Sequence, residues 1–137
     1  MKKTMQIIEL NSILLVDDDE DCLFTAEKML AKEVETIHQY ISPAEALVFL
    51  HETGNKGSQF PDCILLDVKM PVMDAFGFLE KAEQLPGFTG SGCRVVLISA
   101  YFDFLEGPEI REKAQNHSCV AGFIEKPFML EKLAELN

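Results

Sequence analysis

No long apolar run occurs in this sequence. Its longest uninterrupted stretches, such as Ile13 to Val16 and Val95 to Ile98, are four or five residues long. A membrane-crossing helix needs roughly 20. Lys2 and Lys3 lead into no sustained apolar segment before Asn11, so no secretory signal is expected. Closely spaced cysteines are missing too. Cys22, Cys63, Cys93 and Cys119 lie 41, 30 and 26 residues apart with no C-x-x-C pair among them, so neither a zinc site nor a dithiol redox motif is signalled. Cys63 and Cys93 sit within or beside apolar runs and read as buried reduced thiols, consistent with a cytoplasmic chain. Basic charge is scarce, with 12 Lys and Arg against 23 Asp and Glu and a formal charge of −11. A surface that negative repels phosphate backbones and argues against direct nucleic-acid binding. Long polar tracts, linkers and internal repeats are also lacking. Residues 1–137 therefore read as one domain, with 47% hydrophobic residues to build a single core.

Short β-rich runs alternate with helical patterns. Strands are expected at Ser12 to Val16, Thr36 to Tyr40, Cys63 to Leu66, Arg94 to Ser99 and Val120 to Ile124. Three of these are almost continuously apolar, as strands covered on both faces of a parallel sheet should be. Between them, Leu23, Ala26 and Leu30 recur at helical spacing, as do Leu47 and Leu50, then Phe76, Leu79 and Ala82, and finally Leu130 and Leu133. Ser42-Pro43-Ala44-Glu45 is a capping box with proline at the first helical position. Gly54, Asn55 and Gly57 end that helix. Pro86-Gly87, followed by Gly90 and Gly92, ends the next. Five βα units in succession imply an α/β fold, a parallel sheet with helices on both faces.

In such a sheet, ligands collect at the carboxyl ends of the strands. The first strand ends in Asp17-Asp18-Asp19, the third in Asp67 and the fourth in Ser99-Ala100. The fifth is followed by Lys126-Pro127-Phe128. Several carboxylates, one hydroxyl and one ammonium thus converge on one edge. Clustered carboxylates repel unless a cation holds them, and hard oxygen ligands on an open site suit Mg²⁺. A carboxylate there can attack phosphorus while the cation, hydroxyl and ammonium neutralise phosphoryl oxygens.

Leu14-Leu15-Val16-Asp17-Asp18-Asp19, Leu65-Leu66-Asp67-Val68-Lys69-Met70-Pro71, Val96-Leu97-Ile98-Ser99-Ala100 and Lys126-Pro127-Phe128 resemble, in order, the four signatures of response-regulator receiver domains. The resemblance spans essentially the whole chain. It implies a flavodoxin-like fold with strand order 2-1-3-4-5, and Asp67 as the phosphoacceptor. It further implies that Mg²⁺ is bound by Asp17, Asp18, Asp67 and the backbone carbonyl of Lys69. Ser99 and Lys126 would bind the phosphoryl group, and Phe123 would be the aromatic that moves with Ser99. Lys69 and Tyr101 would influence the lifetime of the acylphosphate. The implied partners are a sensor histidine kinase or phosphotransfer protein and a downstream protein target. The domain would be a stand-alone monomer or weak dimer that acts as a phosphoacceptor and not as an enzyme on a separate substrate, and it signals through its fourth and fifth helices and fifth strand. Three departures from the family pattern stand out. Ala75 occupies a position that is often glycine, with a less tightly turned start to the third helix expected. Gly107-Pro108 interrupts a lengthened segment between Ser99 and Lys126. Phe123 lacks a tyrosine hydroxyl.

Other readings of the same residues are weaker. Asp19, Glu20 and Asp21 suit a plain acidic helix start. An EF-hand fails because Cys22 and Lys28 stand where glycine and glutamate are required. Asp17 and Asp19 imitate the Asp-x-Asp of haloacid-dehalogenase-type phosphatases, but Asp21 replaces the threonine or valine that should follow. A pseudo-receiver would have a degraded acceptor or acid pocket, and here every position is present. His38, His51 and His117 are scattered and suggest no ligand or base.

Overall fold

The computed structural model describes residues 10–56, 59–70, 72–100 and 107–136; Gly57, Pro71 and Tyr101 lie outside the described residues. Five strands, β1 (Ser12–Val16), β2 (Thr36–Tyr40), β3 (Cys63–Asp67), β4 (Arg94–Ser99) and β5 (Val120–Glu125), alternate with helices α1 (Glu20–Leu30), α2 (Pro43–Asn55), α3 (Ala75–Glu83), α4 (Gly107–Ala114) and α5 (Leu130–Ala134). The strands form one parallel sheet in the order β2-β1-β3-β4-β5.

The apolar runs of β1, β3 and β4 are divided between two faces, because alternate side chains of a strand point to opposite sides. Leu14, Val16, Ile64, Leu66 and Leu97 pack with Ala46 and Leu50 of α2 and with Phe78 and Leu79 of α3. Ile13, Leu15, Leu65, Val96 and Ile98 pack with Leu23, Ala26 and Leu30 of α1 and Leu133 of α5. Cys63 and Cys93 are buried, and burial pushes the Cys63 thiol up to about 12. Both are free thiols, as their placement in the sequence suggests.

Helix starts follow their capping residues. Ser42 Oγ accepts from the Glu45 amide at 3.3 Å with Pro43 in the first turn of α2. Asp19 caps α1 by accepting from the amides of Asp21 and Cys22, and Asp74 caps α3 through Gly77.

Four details differ from the pattern in the sequence. β3 and β5 each run one residue further, to Asp67 and Glu125. The fully buried aromatic of α3 is Phe78; Phe76 is half-buried and stacks on His117. Gly107 and Pro108, expected to interrupt the lengthened segment, are helical and belong to α4. Ala75 does not loosen the start of α3. It is fully buried, and its amide donates to the Val68 carbonyl at 3.1 Å.

The loop after Asp67 holds a strained residue. Val72 has φ 71° and is fully exposed. A β-branched residue there is disfavoured by contact between its side chain and the backbone, and no packing offsets this. Val72→Gly should stabilise the protein by about 1 kcal/mol, after allowing for the greater freedom of glycine in the unfolded chain. Urea unfolding should show a raised midpoint with an unchanged slope.

Candidate functional site

Parallel register delivers the site. Val16 lies opposite Leu66 and Asp67 opposite Ile98, so Asp17 and Asp67 leave the sheet side by side. Ser99 lies opposite Glu125, which places Lys126 at the same edge. Carboxylate oxygens of Asp17, Asp18 and Asp67 lie within 4.8 Å of one another. Asp17 and Asp67 are buried, whereas Asp18 faces solvent. Lys126 Nζ stands 3.1 Å from Asp17 Oδ2 and 3.4 Å from Asp67 Oδ1. Ser99, 2% exposed, closes the group at the end of β4.

Each member is fixed by its neighbours. Asp17 Oδ1 accepts from the Asp19 amide at 2.9 Å, which orients the carboxylate toward Lys126. Asp19 itself is engaged in capping α1. The Lys126 amide donates to the Ser99 carbonyl at 2.8 Å. Lys132 of α5 donates from Nζ to the carbonyls of Glu125 (2.9 Å) and Pro127 (3.0 Å), one on either side of Lys126. The Val68 amide donates to Ile98, and Lys69 follows it as an exposed side chain. Phe123 on β5 is half-buried, with the Arg111 guanidinium 4.7 Å from its ring centre.

Burial, reinforced by the adjacent Asp17 charge, pushes the Asp67 carboxyl up to about 7 against the pull of Lys126. Burial also raises Asp17, opposed by the Asp19 amide and by Lys126. For Lys126, burial acts downward but is overcome by the hydrogen bond and charge of Asp17 and by the charge of Asp67, so its ammonium is held above the usual lysine range. Asp17 and Asp67 thus pair with Lys126, and Asp18 lies beside them. The carboxylate oxygens form the hard, anionic donor set that suits a small divalent cation.

Asp17, Asp18, Asp67 and Lys126 come together here with Ser99 at the neighbouring strand end; Lys69 is exposed two residues after Asp67, Phe123 lies along β5, and Tyr101 lies outside the described residues. Two features carry no sequence signal. One is the support from Lys132. The other is His117, buried ahead of β5 at the far end of the sheet, with Nδ1 2.9 Å from both carboxylate oxygens of Glu83. No helix among the described residues is long and apolar enough to cross a membrane.

Comparison with known proteins gives a consistent picture. A family model described as the response regulator receiver domain matches residues 13–136. Two-component response regulator ARR12 of Arabidopsis thaliana is 32% identical over 130 residues, covering 90% of this chain and 18% of that protein. A two-component response regulator from Cytophaga hutchinsonii superposes with a TM-score of 0.79 at 25% identity, over 90% of this chain and 91% of the other. A response regulator receiver protein from Dyadobacter fermentans gives 0.74 at 28%, over 90% and 91%. The chain spans 12% to 20% of the length of the curated relatives it matches.

The raised Asp67 carboxyl has a consequence for stability without divalent cations. A carboxyl that holds its proton more tightly when folded contributes stability fully below its unfolded value of 3.8, and loses it as pH rises through about 7. Asp67→Asn removes that loss. The variant should match the wild type near pH 4 and exceed it by roughly 2–4 kcal/mol at pH 8. Chemical denaturation in chelator across that range checks this, and parallel pH profiles would contradict it.

Proposed function

Because the chain belongs to the response regulator receiver domain family, we propose that Asp67 accepts a phosphoryl group from a histidine kinase or phosphotransfer protein and that the resulting acylphosphate alters contacts with a downstream protein. The observation that carries this reading is the placement of Asp67. It is a buried carboxylate at the end of the central strand, flanked by an ammonium and two further aspartates.

In the transfer, an Asp67 carboxylate oxygen forms a bond to phosphorus as the phosphorus–nitrogen bond of the donor phosphohistidine breaks and the imidazole leaves. Lys126, 3.4 Å from Asp67 Oδ1, would bind one phosphoryl oxygen, and the hydroxyl of Ser99 at the adjoining strand end would bind another. Side chains of Asp17, Asp18 and Asp67, with the Lys69 carbonyl, would hold Mg²⁺. The donor set fits, because carboxylate oxygens of all three aspartates lie within 4.8 Å of one another. When bound, Mg²⁺ neutralises charge on the phosphoryl oxygens. Asp67 must be ionised to attack, so its raised carboxyl makes the nucleophile dependent on added positive charge.

The domain then acts as a phosphoacceptor that promotes its own phosphorylation and dephosphorylation, not as an enzyme on a separate substrate. The haloacid-dehalogenase reading loses support because Asp19, the second acid of its motif, is occupied as the α1 cap. For the readout, Ser99 moving toward the phosphoryl group and Phe123 turning inward give two discrete packings. Arg111 over the Phe123 ring opposes that turn and links it to α4. The face of α4, β5 and α5 is therefore the proposed output surface.

Incubation with acetyl phosphate and Mg²⁺ should add one phosphoryl group by mass to the wild type and none to Asp67→Ala, whose fold should be intact by circular dichroism. Mg²⁺ should raise the melting temperature of the wild type by mass action, and much less that of Asp18→Ala. Equal labelling of Asp67→Ala would overturn the acceptor. An unchanged Mg²⁺ response in Asp18→Ala would overturn the cation site.

A further inference from the structure

Between α1 and the loop joining β5 to α5, one face of the sheet is incompletely filled. A cavity of about 170 Å³ opens there. Its walls include Leu15, Leu65 and Ile98 from three adjacent strands, Leu23 and Ala26 from α1, and Phe128 from the loop. All six are buried. Ala26 is the smallest of them, and its methyl group leaves much of the space between helix, strands and loop open. Elsewhere the same face closes around larger side chains, such as Leu30, Ile13 and Leu133.

The volume and the rim define what fits. An apolar cavity of about 150 Å³ accommodates a benzene ring. The rim carries Asp17 and Asp21 against a single ammonium, that of Lys126, which already lies 3.1 Å from Asp17 and 3.4 Å from Asp67. An anionic ligand meets net repulsion there and displaces an existing ion pair if it takes Lys126. A ring that carries an N–H or O–H donor instead finds carboxylate acceptors beside an apolar chamber.

We propose that this cavity is a binding site for a neutral, ring-sized apolar molecule with one hydrogen-bond donor, its ring against Ala26, Leu65 and Ile98 and its donor directed to the carboxylate rim. Neither Asp67 nor Ser99 lines the cavity. Asp17 and Lys126 are shared with the acidic edge, but the acceptor is not, so failure of Asp67 as phosphoacceptor would leave the cavity assignment standing.

Indole is a suitable probe, with benzoate as a control of similar size and opposite electrostatic fit. Titrated into the full chain, indole should produce saturable shifts in the methyl resonances of Leu23, Ala26, Leu65 and Ile98. It should also raise the melting temperature by several degrees once free indole exceeds its dissociation constant about tenfold. Benzoate at the same concentrations should do neither. Ala26→Leu, which fills the chamber, should abolish the indole response. If that variant does not fold, the wild-type shift map and the benzoate control decide the matter. Non-saturable shifts, shifts centred away from these walls, an equal response to benzoate, or undiminished indole binding by folded Ala26→Leu would each overturn the site.

Discussion

The ion pairs of Lys126 with two buried carboxylates, Asp17 and Asp67, are what the carboxyl edge of the sheet depends on. Asp18 stands beside them and faces solvent. Burial sharpens the conflict, because the same walls that exclude water from Asp67 also weaken the screening of Asp17. Protonation of Asp67 relieves this, and positive charge brought to the site favours its ionised form. The site is therefore unsettled by design of its donor set, and its ionisation responds to whatever cation or anion approaches.

The rest of the fold supplies the rigidity that this tension requires. Parallel pairing of β1 with β3 and of β3 with β4 fixes the lateral order of Asp17, Asp67 and Ser99. Packing on both faces buries the central strands. Val72 retains an unfavourable backbone angle five residues beyond Asp67 and no burial that would justify a valine there. Residues at the carboxyl ends of buried strands commonly carry the chemistry of open α/β sheets.

Much of this was legible in the sequence for definite reasons. β1, β3 and β4 are apolar on both faces, so their runs are continuous and their ends clear. The chemistry falls immediately after those ends, which is why Asp17, Asp67 and Ser99 could be placed without coordinates. The α3 aromatic was less accessible, since Phe76 and Phe78 are both compatible with the spacing and only packing against α2 and β3 selects Phe78. Gly107-Pro108 reads as a break in isolation, but both residues are helical in α4. The His117–Glu83 contact joins residues 34 apart, and neither lies in a motif. The cavity beside α1 is invisible in one dimension, because a void is defined by what three strands, a helix and a loop fail to fill together.

Lys132 lies on a five-residue helix, in no signature, yet its ammonium grips the carbonyls on both sides of Lys126. Together with the amide link from Lys126 to Ser99, this pins the backbone of that residue from two directions. α5 thereby serves as a datum from which the reach of the Lys126 side chain is measured. Chemistry that erased the positive charge of Lys132, acetylation for instance, would recalibrate the acidic edge without touching a residue of it.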